Sequence, residues 1–81
     1  MKAKVTVRLK SGVLDPQGRA VQHAAESLGL QGIQEIRLGK VFDIELETTD
    51  ETEIEKILET LATKILANPV MENYEWEIIQ S

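Results

Sequence analysis

Few residues in this sequence have the type and spacing that catalysis requires. His23 is the single histidine, and its polar neighbours on a predicted helix make an exposed position a sufficient explanation, without a general-base or ligand role. Acidic residues are common in the second half of the chain, but no apolar residues converge with them to form an acid–base or metal pocket. Gly12, Gly18 and Gly39 match neither of the glycine patterns that cradle phosphates. We therefore predict no catalytic, metal-binding or cofactor-binding residues.

Gly18 differs from the other two glycines, whose positions in turns explain them. It lies in the first turn of a predicted helix, where glycine costs roughly 1 kcal/mol relative to alanine. We expect such a glycine where another chain, a ligand or a crossing strand comes close to the helix backbone.

The composition excludes several classes of function. The chain has 81 residues, which is one domain, and its net charge of -5 argues against a general nucleic-acid binder. It contains no cysteine, so disulfides, thiolate-bound zinc and thiol chemistry are excluded. Apolar runs are too short to span a membrane and the N-terminus does not resemble a signal peptide, so we expect a cytoplasmic location. Because so small a core has a thin margin of stability, we also expect an oligomer or a subunit.

Two helices are predicted from their caps and their apolar spacing. Asp15 and Pro16 have the residue types of an N-cap and a first helical position, and the helix that they begin ends near Gly29. Its apolar stripe consists of Ala20, Val21, Ala24, Ala25 and Leu28. The second helix begins at Asp50 and is ended by Asn68–Pro69, because the residue before proline disfavours the helical region. Its apolar residues are Ile54, Ile57, Leu58, Leu61, Ile65 and Leu66.

Four strands are predicted around these helices. Apolar and polar residues alternate strictly over residues 2–10, and alternation recurs over residues 41–48 and 74–79. Residues 33–38 are predicted as the second strand in the chain. An odd-numbered turn centred on Lys40 would join the second strand to the third, because only an odd turn keeps their apolar residues on one face.

The element order βαββαβ predicts an α+β fold for a single domain over residues 1–81. The expected architecture is a two-layer ferredoxin-like sandwich, with a four-stranded antiparallel sheet in the order 4-1-3-2 and both helices on one face. The charges favour this order, since the polar face of the first strand is basic and those of the third and fourth strands are acidic. Placing the basic strand between the two acidic ones sets opposite charges across from each other.

Several apolar residues have no place in one small two-layer core. They occur in two loops and on the polar face of the last strand: Val13, Leu14, Val70, Met71 and Ile79. These residues form a contact surface, or the loops fold back onto the core, and the sequence leaves both interpretations open.

Three segments together resemble one protein family: LKSGVLDPQGRAV at residues 9–21, EIRLGK at 35–40 and LANPVMENY at 66–74. The chain resembles the PurS family, the small subunits of phosphoribosylformylglycinamidine (FGAM) synthase, over essentially its whole length. The resemblance implies a role in purine biosynthesis, where that enzyme uses ATP and glutamine-derived ammonia to convert formylglycinamide ribonucleotide to the amidine. It further implies a homodimer with no cofactor or activity of its own. Such a dimer would bridge a glutaminase subunit and a large synthetase subunit and help to shelter ammonia.

The resemblance also implies which positions contact partner subunits. These are Asp15, Pro16, Gln17, Gly18, Arg37, Gly39, Lys40, Asn68, Pro69 and Val70. Helix capping and helix termination explain Asp15 and the two prolines without a partner. No such explanation covers Gln17, Gly18 and Arg37, so these three are the stronger candidates for contacts.

Two other functions are compatible with the predicted element order. An ACT-like regulatory module has the same order and would bind a small molecule such as an amino acid at a dimer interface. A small enzyme of the acylphosphatase kind would need an anion-binding arginine between the first strand and the first helix, and residues 11–15 contain none. The bridging subunit is therefore our main prediction and the ACT-like module the alternative.

Overall fold

Three strands, two α-helices and one π-helical turn make up this computed structural model, which describes residues 1–79. They follow in the order β1 (Lys2–Leu9), α1 (Pro16–Ser27), β2 (Gly39–Glu45), α2 (Glu51–Leu61), the π-helical turn Ala62–Leu66 and β3 (Glu72–Ile79). In the described part of the chain, no helix has the length and apolar character needed to cross a membrane.

The central strand of the sheet is β1, which runs antiparallel to β2 on one side and to β3 on the other. Lys4 of β1 stands opposite Asp43 of β2 and Glu77 of β3. The basic strand therefore lies between two acidic ones, which is the arrangement that the charge pattern favoured.

The predicted four-stranded ferredoxin-like sheet is wrong, because the sheet over residues 1–79 has three strands in the order β2-β1-β3. The segment predicted as the second strand, residues 33–38, is not in a strand. Gly39 pairs with Arg8, which is the last residue but one of β1. The residues before Gly39 therefore lie beyond the end of β1 and, within residues 1–79, have no strand beside them to pair with. A strand needs a second backbone to bond with as well as suitable residue types. The predicted turn at Lys40 is also wrong, since Lys40 lies within β2.

The hydrophobic core lies between β1 and α2. Val5 and Val7 of β1, with Ile54 and Leu58 of α2, are the largest fully buried side chains in the described residues. Complete burial of an apolar side chain of this size contributes roughly 1.5–3 kcal/mol. Asp50 caps α2 as predicted, because its carboxylate accepts a hydrogen bond at 3.0 Å from the backbone N–H two residues further on.

The end of α2 widens into the π-helical turn, which the apolar spacing did not predict. The N–H of Ala67 donates to the carbonyl of Ala62 at 2.9 Å, and both alanines are buried. This wider turn shifts the buried face by five residues instead of three or four. Ile65, which was predicted on the apolar stripe, is consequently 72% exposed.

The prediction that both helices cover one face of the sheet is wrong as well. α2 packs on β1, whereas the apolar stripe of α1 is largely exposed, with Val21 at 50% and Leu28 at 80%. Within residues 1–79, Gly18 is the one residue of α1 that is buried. α1 therefore adds almost nothing to the core of its own chain, and polar contacts near its start hold it in place.

Candidate partner-binding surface

Asp15 joins the start of α1 to the segment that precedes β2. As predicted it is the N-cap, and its Oδ1 accepts a hydrogen bond from the N–H of Gly18 at 2.9 Å. Its Oδ2 accepts the N–H of Leu38 at 2.8 Å. The N–H groups of Gly18 and Leu38, helped by the charge of Arg37, hold the pKa of Asp15 below its ordinary value of 3.8. Asp15 is 6% exposed, so its carboxylate serves contacts within the chain.

Arg37 binds the backbone of the loop between β1 and α1. Its Nη2 lies 3.1 Å from the carbonyl oxygen of Lys10, 3.3 Å from that of Val13 and 3.5 Å from that of Leu9. Its Nη1 lies 3.2 Å from the carboxylate of Glu35. The guanidinium can bind the loop carbonyl oxygens and Glu35 at the same time, because its N–H donors point in fixed, different directions in one plane. An ammonium group lacks this arrangement.

We call the side chains of Asp15 and Arg37, with the backbone groups that they bind, the Asp15–Arg37 clamp. The clamp closes around a tight crossing of two backbones, because a Cβ atom on Gly18 would collide with the carbonyl oxygen of Ile36. The close approach predicted at Gly18 is thus confirmed. The backbone that comes close belongs to the same chain, although residue 36 is not in a strand.

The structure gathers about half of the predicted contact residues around one cavity. This cavity of about 280 Å³ is lined by Asp15, Pro16, Gln17, Gly39 and Lys40, together with Val7, Leu9, Leu38 and Glu72. A second cavity, of about 440 Å³, shares Asp15 and is lined also by Arg37 and by the loop before α1. Both are open recesses at the end of the sheet where α1 is attached, and they could receive side chains of another protein.

Four of the predicted contact residues line neither of these two cavities: Gly18 lies in α1 at the crossing described above, and Asn68, Pro69 and Val70 lie in the turn before β3. The Oδ1 of Asn68 accepts the N–H of Val70 at 3.0 Å, and the N–H of Asn68 donates to the carboxylate of Glu72 at 2.7 Å. Pro69 lies between them and is exposed. These hydrogen bonds fix a turn that leaves Val70 80% exposed.

Apolar side chains are exposed in both of the loops whose apolar residues had no assigned place in the core. Leu14 is 67% exposed and Met71 45%, so these loops do not fold back over them, whereas Val13 and Ile79 are half-buried. Together with the exposed stripe of α1, these residues give the chain more unpartnered apolar surface than its small core would suggest.

A polar cluster between α2 and β3 was missed by the sequence analysis. Glu59 accepts hydrogen bonds from the hydroxyl of Tyr74 and from the Nε1–H of Trp76, the latter at 3.0 Å. The Tyr74 hydroxyl, followed by the Trp76 indole, lowers the pKa of Glu59, and the bond to Glu59 raises the pKa of Tyr74. Alternation puts both aromatic residues on one face of β3, but no spacing in the sequence relates them to Glu59.

The histidine and the acidic residues are the side chains that the sequence offered as candidates for chemistry. His23 lies exposed on α1. Across residues 1–79, no three His, Cys, Asp or Glu side chains are grouped so that they could hold a metal ion. On the outer face of the sheet Arg8 and Glu75 approach to 3.8 Å, and an exposed pair of this kind contributes little to stability.

Comparison with known sequences points to one family. The family model described as "PurS: Phosphoribosylformylglycinamidine (FGAM) synthase" matches residues 2–80. The PurS subunit of Bacillus subtilis (strain 168) is 42% identical over 77 residues, covering 95% of this chain and 90% of the relative. That of Methanocaldococcus jannaschii is 39% identical over 77 residues, covering 95% and 93%.

Solved structures agree with the sequence relatives. A crystal structure of B. subtilis PurS superposes with a TM-score of 0.86 at 40% identity and covers 98% of both chains. A PurLQS structure from Thermotoga maritima contains a chain with a TM-score of 0.83 at 28% identity, covering 94% of this chain and 93% of that one. The three-stranded arrangement that replaced our four-stranded prediction thus belongs to a fold already seen in this group.

Proposed function

Because this chain belongs to the PurS family and is a subunit of FGAM synthase, an enzyme of purine biosynthesis, we propose that it is the bridging subunit of that complex. It joins the glutaminase to the ATP-dependent synthetase and assists the transfer of ammonia between them. The chain itself is accessory to the ligase and contributes binding surfaces, while its partners carry out the chemistry.

The exposed apolar surface is the observation that carries this proposal. Leu28 and Val70 are each 80% exposed and Ile65 is 72% exposed, although side chains of this type are usually buried. Complete burial of one such side chain contributes roughly 1.5–3 kcal/mol. A partner that covers several of them therefore gains free energy that offsets the entropy lost on association. These residues lie at the C-terminal end of α1, on the π-helical turn and before β3. A subunit that bridges two others needs contact surfaces in more than one place.

We include a second copy of the chain among the partners. Residues 33–38 have the composition of a strand but no strand neighbour within residues 1–79, and the apolar stripe of α1 covers no sheet. A second copy can supply a partner for both, and identical chains associate most simply about a two-fold axis. Sedimentation analysis should give twice the chain mass of 9.1 kDa. A species that stays at the single-chain mass at micromolar concentration would contradict the dimer.

The T. maritima PurLQS structure supports the choice of the other partners, because PurS occurs there with PurL and PurQ. We propose the corresponding synthetase and glutaminase subunits for this chain. Released ammonia would otherwise be diluted and protonated, and an enclosed path keeps it unprotonated and concentrated at the acceptor site. We place this work in the cytoplasm, as expected for a biosynthetic complex of this kind.

Reconstitution tests the bridging role directly. Glutamine-dependent amidine formation by the synthetase and glutaminase of the same organism is measured with and without this chain, and then with an ammonium salt as nitrogen donor. We expect the chain to be required with glutamine and nearly dispensable with ammonium, because added ammonium needs no transfer between subunits. If the chain changes neither rate, the proposal is wrong. If it is required equally with both donors, it acts on the synthetase itself and the ammonia-transfer part is wrong.

A further inference from the structure

The part of the molecule formed by α1 and residues 33–38 lies outside the hydrophobic core. The buried apolar residues belong to β1, to α2, to the π-helical turn and to Ala67 just after it. α1 contributes Gly18 alone, as far as residues 1–79 are concerned, and glycine has no side chain to pack. Packing in the hydrophobic core therefore contributes little to the direction in which α1 leaves the sheet.

Polar contacts hold α1 in its direction instead, and the Asp15–Arg37 clamp provides most of them. Asp15 binds the N–H groups of Gly18 and Leu38, at 2.9 and 2.8 Å. Arg37 binds three carbonyl oxygens of the β1–α1 loop, at 3.1 to 3.5 Å. A further hydrogen bond runs from the Nε2 of Gln22 on α1 to the carbonyl oxygen of Gln34 at 3.3 Å.

We infer that Asp15 and Arg37 are positioning residues, which hold α1 and residues 33–38 in the orientation that the partners bind. This inference rests on the bridging function proposed above. Asp15 is 6% exposed and both of its carboxylate oxygens accept hydrogen bonds from backbone N–H groups of its own chain. The Nη2 group of Arg37 is likewise directed to carbonyl oxygens of its own chain. The clamp thus affects assembly by fixing the contact surfaces beforehand, which lowers the entropy lost on binding.

Each half of the clamp needs its own side-chain chemistry. Asn at position 15 would replace one acceptor oxygen by an NH₂ group that faces a backbone N–H, so one of the two bonds is lost. Lys at position 37 keeps the charge but cannot bind the loop carbonyls and Glu35 together. Because these contacts lie outside the core, their loss should release α1 locally and leave the sheet intact.

The experiment compares Arg37→Met and Arg37→Lys with the wild-type chain. Arg19→Met is the matched control, because it removes the same charge from the wall of the same cavity, and within residues 1–79 the Arg19 side chain makes no hydrogen bond or ion pair. Amide hydrogen exchange is measured at Gly18 and Leu38, and at Val5 and Val7 as reporters of the core. The reconstituted synthetase and glutaminase are then titrated with the wild-type chain and with each Arg37 variant in the glutamine-dependent assay.

For Arg37→Met we expect exchange at Gly18 and Leu38 to accelerate by roughly tenfold or more, with no change at Val5 and Val7. The concentration that gives half-maximal activity should rise by a similar factor, while the activity at saturation stays at the wild-type level. Arg37→Lys should recover part of the loss, and in Arg19→Met the exchange at Gly18 and Leu38 should stay at the wild-type rate. A residue that lined the ammonia path would instead lower the activity at saturation.

The inference is overturned if exchange at Gly18 and Leu38 is unchanged in Arg37→Met, if exchange at the core reporters accelerates equally, or if Arg19→Met accelerates exchange at Gly18 and Leu38 as Arg37→Met does. It is also overturned if Arg37→Met half-saturates the partners at the wild-type concentration. The exchange measurement needs no partner subunit, so it tests the clamp even if the wild-type chain fails to stimulate the complex. That last outcome would refute the bridging function and, with it, the role of the clamp in assembly.

Discussion

Trp76 donates its indole N–H to the carboxylate of Glu59 across 3.0 Å, so that the edge strand β3 is hydrogen-bonded to the exposed side of α2. Tyr74, two residues earlier on the same face, donates to the same carboxylate. α2 is therefore held by apolar packing on the central strand and by polar contacts at the edge. These two kinds of contact should respond differently to substitution and to pH.

Removing the carboxylate of Glu59 should lower the melting temperature of the chain. Glu59→Ala leaves both aromatic donors without their acceptor, and Glu59→Gln replaces two hydrogen bonds to an ionised carboxylate by weaker bonds to a neutral amide. Glu55→Gln is the matched control, because it removes a charge from the same helix at an exposed position that has no side-chain hydrogen bond within residues 1–79. In thermal unfolding followed by circular dichroism at neutral pH, Glu55→Gln should have the melting temperature of the wild type. Both Glu59 variants should melt at lower temperatures. Equal melting temperatures would contradict the role of the cluster.

The same carboxylate should make stability depend on pH in the acid range. The pKa of Glu59 is held below its ordinary value of 4.5 by Tyr74 and Trp76 in the folded chain. Its contribution is therefore fully present above that value and is lost as the pH falls through the lowered pKa. Urea unfolding at several pH values from neutral to well below 4.5 should show a smaller loss of stability for Glu59→Gln than for the wild type. If the free energy of unfolding falls equally with pH in the wild type and in Glu59→Gln, Glu59 has the same pKa in the folded and unfolded chains and the prediction is wrong.

The raised pKa of Tyr74 should make the stability of the chain depend on pH in the alkaline range as well. Its pKa is raised above 10.0, first by the hydrogen bond to Glu59, so the protonated hydroxyl is favoured in the folded chain. The resulting stability is present below that value and is lost as the pH rises through the raised pKa. Tyr74→Phe cannot ionise and should lose less stability than the wild type between neutral and strongly alkaline pH. The phenolate absorbance at 295 nm would follow the titration directly, and a midpoint at the ordinary pKa would contradict this prediction.

Gly18→Ala should weaken the attachment of α1 although it improves helix propensity. Alanine favours a helix interior by about 1 kcal/mol over glycine, but here the added Cβ atom would collide with the carbonyl oxygen of Ile36. Backbone cannot move aside as a flexible side chain can, so α1 or residues 33–38 must shift. Gln17→Ala, in the same helical turn and exposed, is the control. Faster amide exchange at Leu38 in Gly18→Ala alone is expected, and unchanged exchange would mean that the crossing is looser than described.

The elements that local signals define were predictable from the sequence. Alternation defined β1, and Asp15 and Asp50 defined the starts of both helices, because a capping side chain acts within three residues of itself. The basic and acidic strand faces also indicated which strand is central. At Gly18 the unfavourable residue type correctly signalled a close approach.

The sequence did not reveal features that depend on where distant segments meet. Residues 33–38 have strand-like residue types, but only the register of Gly39 against Arg8 shows that β1 ends too soon to pair with them. The apolar stripe of α2 placed Ile65 inward because nothing in its spacing announces a π-helical turn. Arg37 stood out as unexplained, yet its three carbonyl partners lie 24 to 28 residues away in the chain.

Leu58 and Leu28 provide a matched pair that separates the core from the contact surface. Leu58 is fully buried, whereas Leu28 is 80% exposed. Leu58→Ala should lower the free energy of unfolding by roughly 2–5 kcal/mol, because it opens a cavity in the core. Leu28→Ala should change that free energy by less than about 0.5 kcal/mol when the chain is dilute enough to be monomeric.

Leu28→Ala should affect self-association although it hardly changes the stability of the single chain, because the apolar stripe of α1 is available for contact with a second copy. Sedimentation equilibrium should give a weaker dimer for Leu28→Ala. Thr60→Ala, an exposed substitution on α2 away from that stripe, should leave the dimer unchanged. If Leu28→Ala unfolds as readily as Leu58→Ala in dilute solution, α1 packs against its own sheet in the single chain. If it unfolds normally and dimerises as tightly as the wild type, a surface other than the stripe of α1 joins the two copies.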